Sequence, residues 1–178
     1  MLTLFSYQNS YSMTAQVALE EIGLEYELRW TKIHIPNADK SVDLMDANPN
    51  GRVPTLLTPE GPIYETAAIL VHMAEQNPQC GLIPDISAPE RRLFWQWHFY
   101  LVSTFMPEEL IQDDPSVYLP DNEPGQRELA LVSMDRLLNI WTVLDRGIAG
   151  PYILGDQYTT CDISFAMQAL WPSCQPPE

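Results

Sequence analysis

Residues Asn50–Gly61 read NGRVPTLLTPEG. Val53 to Thr58 is a run of β-branched residues and leucine, bounded by Gly51 before it and Glu60-Gly61 after it. That is the pattern of a strand entering a tight turn. Pro54 stands at its front edge, where it removes a ladder donor. The residues alone leave two readings of that proline, a bent edge strand or a binding edge.

Working upstream, a polar stretch runs back from Asn50 to His34, with a short helix expected at Ser41–Met45. Before it, Tyr26, Leu28 and Trp30 alternate with charged residues, as in a half-buried strand. Ala15, Ala18, Leu19 and Ile22 then follow helical spacing, closed by Gly23. Leu2 to Phe5 reads as a first short strand. Downstream of the turn come the short run Pro62-Ile63-Tyr64 and a helix from Thr66, with Ala67, Leu70, Val71 and Ala74 on one face. The order is strand–helix–strand, a connection, then strand–strand–helix.

PDISAP (Pro84–Pro89) carries two prolines and reads as a linker. Beyond it the pattern is helical throughout. One helix is expected from Pro89 to Phe105, with Leu93, Trp97, Tyr100, Leu101 and Phe105 as its apolar face. A second is expected from about Gln126 to Asp145, with Leu131, Met134, Leu138 and Trp141 as its stripe and Gly147 as its stop. A third begins at Thr159.

The bulk composition narrows the function classes. The chain has 178 residues, 46% hydrophobic and 19% charged, which supplies enough apolar material for a core. Nine basic residues face 24 acidic ones, a net charge of −15 that repels nucleic-acid phosphates and anionic membranes. Apolar runs stop well short of a membrane span, and MLTLFSYQNS has no basic leader, so neither a membrane segment nor a signal peptide is expected. Cys80, Cys161 and Cys174 show no metal-ligand spacing, which points to a reduced, cytoplasmic protein without a metal. His34, His72 and His98 read as packing residues.

The element order, with Val-Pro opening the third strand, resembles the cytosolic glutathione transferases. NPNGRVPTL (Asn48–Leu56) is similar to that family's N-P-x-G-x-V-P-x-L run, YETAAIL (Tyr64–Leu70) to its E/Q-S-x-A-I run, and GDQYTTCDI (Gly155–Ile163) to its G-D-x-x-T-x-A-D-I capping box. The resemblance implies a thioredoxin-like α/β domain over residues 1–79 and an all-α domain over 87–178. It also implies a cis Val53–Pro54 bond whose backbone docks glutathione. Glutathione would be co-substrate, with no metal, and the protein a homodimer acting on a small electrophile or a peroxide. The family usually continues past the capping-box helix, so the C-terminus reads as short.

Chemistry gives the site residues their roles. Glutathione's γ-glutamyl end has an amine and a carboxylate. Glu65 suits the amine, while Thr66 and its neighbouring N–H groups suit the carboxylate at a helix N-terminus. The plain alternative is that Thr66 caps its helix, with Glu65 just outside it. Arg52 reads either as the partner of the glycyl carboxylate or as a solvated surface arginine. Thr159 and Asp162 have capping-box spacing and read as folding apparatus.

A thiol of pKa about 8.5 needs ~2.7 kcal/mol of thiolate preference to fall by about 2 units. A hydroxyl donor plus a helix N-terminus supplies roughly that. SYQNSYSMTAQ (Ser6–Gln16) joins the first strand to the first helix and has to provide it. Tyr11 stands where a beta-class cysteine falls and Phe5 near the tyrosine-class position, so the loop resembles the serine classes and the nu-like bacterial members. Ser10 is the first candidate for the activating donor, with Asn9 and Ser12 beside it. Ser12 is also a natural N-cap for the helix from Met13. Phe99, Ser103 and Met106 are candidates for the electrophile pocket. The departures in the loop and at the C-terminus keep a second reading, a non-catalytic member that binds glutathione or a partner protein.

Overall fold

The computed structural model describes residues 1–31, 42–148 and 150–171. His34, Ser41, Cys174 and the C-terminal tail lie outside them. The chain divides into two compact units, Met1–Ile83 and Pro84–Glu178.

The first unit holds β1 (Leu2–Ser6), α1 (Met13–Ile22), β2 (Tyr26–Trp30), α2 (Val42–Ala47), β3 (Thr55–Thr58), β4 (Gly61–Tyr64) and α3 (Thr66–Gln76). The four strands form one mixed sheet in the order β2-β1-β3-β4. β1 runs parallel to β2 and antiparallel to β3, and β3 runs antiparallel to β4. The parallel pair requires a crossover, which α1 provides. Gly23 ends α1 in the left-handed region (φ 78°), a conformation that costs an L side chain energy.

Strand period two sends Leu4 and Phe5 to opposite faces of the sheet. Phe5 packs with Leu44 and Ala47 of α2 and with the partly buried Val53 and Leu57. On α3 the fully buried residues are Ile69, Leu70, Met73 and Ala74, with Ala67 and Val71 only half-buried. The buried stripe is therefore turned slightly from the one the apolar spacing suggests.

The second unit is helical. α4 (Arg91–Tyr100) passes through a π-helical turn, Leu101–Phe105, into α5 (Met106–Asp113), and α6 (Glu123–Gly147) and α7 (Thr160–Ala169) follow. The expected single helix over 89–105 thus starts two residues later and continues to Asp113. Pro107 accounts for the wide turn. Its ring would strike the Ser103 carbonyl in a regular helix, and a π turn moves that carbonyl away. Met106 N–H closes the turn on the Leu101 carbonyl, and Gln168 Nε2 of α7 donates to the same carbonyl at 3.0 Å.

On α6 the expected stripe holds only in part, since Met134 and Trp141 are half-buried and Trp141 packs on Phe105. Ser133, Leu137, Ile140 and Leu144 are buried, while Leu131 is 71% exposed and Leu138 38%. Both sets have helical spacing, and a serine in one of them hid it. Ser133 is buried because its hydroxyl donates to the Glu108 carbonyl of α5 at 2.9 Å. No helix of the described residues is long and apolar enough to cross a membrane.

Candidate active site

The register of the sheet gathers the motif-bearing segments. Phe5, Thr55 and Tyr64 form one row across β1, β3 and β4. From that row β1 runs on through Ser6 into the loop Tyr7–Ser12, β3 is entered from Val53 and Pro54, and β4 leads out into Glu65 and Thr66. All three segments therefore emerge at the same end of the sheet, and α1 and α3 both begin there. The Val53–Pro54 bond is cis, Val53 is half-buried and Pro54 buried, and Arg52 is exposed.

Glu65 occupies the N-cap position of α3 with φ 72° and ψ 118°, in the region that non-glycine residues seldom adopt. Thr66 is the first helical residue, so it does not cap the helix as the plain reading has it. The Glu65 side chain makes no capping bond to this N-terminus either. The arrangement leaves the positive end of the helix dipole facing the rim with an exposed carboxylate beside it.

The loop after β1 is held by hydroxyls. Ser6 Oγ lies 2.8 Å from Ser12 Oγ, which lies 2.6 Å from Ser10 Oγ. Ser10 Oγ donates to the Tyr7 carbonyl at 2.8 Å, and Tyr7 N–H donates to Ser12 Oγ at 3.1 Å. With Ser10 donating to Tyr7, one order that uses every proton is Ser6 to Ser12, Ser12 to Ser10, Ser10 to Tyr7, and Ser12 Oγ also lies 3.3 Å from the Tyr7 carbonyl. Ser12 is buried, and its backbone is already helical at φ −62°. It is not the side-chain N-cap of α1 that its position suggests. The first amides of α1 bond back to the loop instead, from Met13, Thr14 and Ala15 to the carbonyls of Ser10, Tyr11 and Ser12 at 3.1–3.2 Å. Asn9 sits exposed at the tip of the turn in the left-handed region, φ 57°, where asparagine is among the better-tolerated residues.

Two buried residues belong to this rim although sequence reasoning gave neither a role. Asn48 opens the N-P-x-G-x-V-P run and Thr55 begins β3; both are fully buried and both bond to the Arg52 carbonyl. The signal was present in the quoted motif, but a buried asparagine and a buried threonine in a turn look like ordinary loop residues.

In the second unit, Phe99 is 57% exposed and stacks on Trp95, with ring centroids 5.6 Å apart. Ser103, one turn on, is exposed and donates to the Phe99 carbonyl at 2.7 Å, while Met106 is half-buried. His98 is buried, stacked on Phe94 and 3.9 Å from Cys161 Sγ. Burial pushes the Cys161 thiol up to about 12, so it is a packing group and not a nucleophile. The Thr159–Asp162 capping box is closed, and Asp162 also accepts from Ile153 N–H at 2.7 Å. Among the described residues no group of three His, Cys, Asp or Glu side chains could hold a metal ion.

Glutathione S-transferases recur among the known proteins that this chain resembles. Residues 1–75 match the family model of the glutathione S-transferase N-terminal domain. A glutathione S-transferase-like protein, OpS6, from Beauveria bassiana is 29% identical over 153 residues, 83% of this chain and 67% of its own. A solved sphingomonad glutathione S-transferase complexed with glutathione superposes with a TM-score of 0.81 at 25% identity, covering 96% of this chain and 82% of that one. An elongation factor 1-gamma from Prunus avium is 26% identical over 174 residues, 91% of this chain but 39% of its own.

Proposed function

We propose that the chain belongs to the cytosolic glutathione S-transferase family and is a glutathione S-transferase, and that its rim does the chemistry. Glutathione lies along the rim where the three segments meet. Its peptide backbone docks on Val53 beside Pro54, its γ-glutamyl end meets Glu65 and Thr66, and Arg52 meets the glycyl carboxylate. Its thiol is ionised by the loop Asn9–Ser12 and attacks a small electrophile or a peroxide. Phe99, Ser103 and Met106 contribute to the electrophile's pocket. The protein works in the cytoplasm as a homodimer.

The observation that carries this reading is the row Phe5–Thr55–Tyr64, which brings all three segments to one end of the sheet. Separately, each segment is an ordinary turn. Together they offer the backbone at Val53 ahead of β3, a carboxylate and a helix N-terminus within one rim, a donor set suited to an extended anionic peptide. Within the loop, Asn9 is the better-placed thiol donor, because Ser10 has to give up its bond to the Tyr7 carbonyl first. The test is calorimetric titration with glutathione, followed by conjugation of chlorodinitrobenzene and reduction of cumene hydroperoxide. Binding with turnover of either electrophile is the expected result. Absence of glutathione binding would sink the reading.

A second reading is a glutathione-binding member without turnover. The bond from Ser10 to the Tyr7 carbonyl favours it, as does the likeness over 91% of the chain to an elongation factor 1-gamma. Binding with no conjugation, and with a bound thiol of ordinary pKa, would select it.

A further inference from the structure

Asn48 and Thr55 meet at a single atom. Asn48 Nδ2 donates to the Arg52 carbonyl at 3.0 Å and to Thr55 Oγ1 at 3.1 Å, and Thr55 Oγ1 donates to the same carbonyl at 2.8 Å. The amide's orientation is settled by its other end, since Asn48 Oδ1 accepts from Asn50 N–H at 3.0 Å. The Asn48 backbone is fixed as well, by Asn48 N–H on the Leu44 carbonyl of α2 and Gly51 N–H on its own carbonyl, both at 2.8 Å. Asn48 is 2% exposed and Thr55 0%.

The consequence falls on the next residue. Two buried donors hold the Arg52 carbonyl, which restrains that peptide plane. In a planar trans peptide the N–H points opposite to the C=O. The Arg52 carbonyl faces inward to Asn48 and Thr55, so Val53 N–H faces outward, and it has no acceptor among the described residues. An outward, restrained N–H asks for a carbonyl oxygen of an extended peptide. We infer that Asn48 and Thr55 are positioning residues for glutathione, holding the Arg52–Val53 peptide so that Val53 N–H is presented to the ligand's backbone. This rests on the glutathione reading above.

The roles separate in the measurements. Losing the clamp frees the peptide plane and weakens ground-state and transition-state binding alike, without touching the thiol's donor. Asn48→Asp keeps size and the acceptor but loses both donors. Thr55→Val removes the hydroxyl at constant shape, and Thr55→Ser keeps it. The readouts are thermal midpoint, glutathione Kd by titration, the KM and kcat pair, and the Val53 amide resonance on adding glutathione. Asn48→Asp and Thr55→Val should each raise Kd and KM for glutathione roughly 3- to 10-fold, the effect of about one net hydrogen bond. The kcat should fall less than about 2-fold and the bound thiol's pKa should hold. Thr55→Ser should restore wild-type Kd. The Val53 resonance should shift with glutathione in the wild type and shift less in Thr55→Val. If Asn48→Asp does not fold, Thr55→Val against Thr55→Ser decides by the same measures. Folded variants that bind glutathione as the wild type does would overturn the inference and leave the binding site standing. A wild-type protein that does not bind glutathione would overturn both.

Discussion

A thiolate brought to the first loop meets two side chains with different obligations. Ser10 already gives its proton to the Tyr7 carbonyl, within a chain of hydroxyls that reaches back to the buried Ser6. Asn9, exposed in the left-handed region, has no side-chain bond among the described residues to give up when it donates. Asn9→Ala is therefore expected to raise the pKa of glutathione's bound thiol by about 1–2 units, and Ser10→Ala by less. Thiolate absorbance of the complex against pH measures both, and a larger shift in Ser10→Ala returns the donor to Ser10. Across the rim, Glu65→Ala should weaken glutathione binding by ~1–3 kcal/mol, because it removes one partner of a charge-assisted contact. Unchanged affinity takes Glu65 out of the site.

A third residue sets a pH dependence. Cys161 keeps its proton in the folded chain up to about pH 12, whereas the unfolded thiol loses it above about pH 8.5. Its contribution to stability is whole below the unfolded value and is lost as pH climbs through the folded one. In Cys161→Ala the thermal midpoint should decline less steeply between pH 9 and 11 than in the wild type. Parallel curves would remove this thiol as the cause.

Among the elements, α6 and α7 show how packing is specified at helix ends. A Cβ on Gly147 would run into the Trp97 ring, so the last residue of α6 is a contact as well as a stop. Gly147→Ala should destabilise by ~1–3 kcal/mol through overpacking, read from denaturant midpoints, and a neutral result would mean that Trp97 has room to turn. Thr159→Ala opens the capping box and should cost ~1–2 kcal/mol. Strands and caps of this kind were legible from residue order: Gly23, Gly61 and the Thr159–Asp162 pair all sit where turn and cap chemistry requires. The buried face of α6 was not legible, because Leu131–Trp141 and Ser133–Leu144 have the same period. Only the Glu108 carbonyl, 25 residues away, tells Ser133 to go inside. The π turn was hidden for a related reason, since one proline signals a break without saying how the helix repairs it. At the site, the motif runs named the segments that the sheet register brings to one end. Whether Ser12 caps α1 or anchors a hydroxyl chain depends on Ser6, five positions before Tyr11 and in another element.

At the scale of the whole molecule, the expectation that remains is association. Leu131 and Leu138, seven residues apart, are exposed on one side of α6 and make a small apolar face there. An isologous two-fold contact is the commonest way to cover such a face. Sedimentation at micromolar concentration should give twice the mass of the 20.3 kDa chain, and a monomer would count against the homodimer. The sheet register also has a use at the bench. The pairs from Thr55–Tyr64 to Thr58–Gly61 set the two ends of the β3–β4 hairpin about 10 Å apart. Its tight turn at Pro59 and Glu60 is exposed and stands on the rim opposite the binding segments. A fluorophore, a surface tether or a spliced peptide introduced there would report on the protein while leaving the ligand's rim clear.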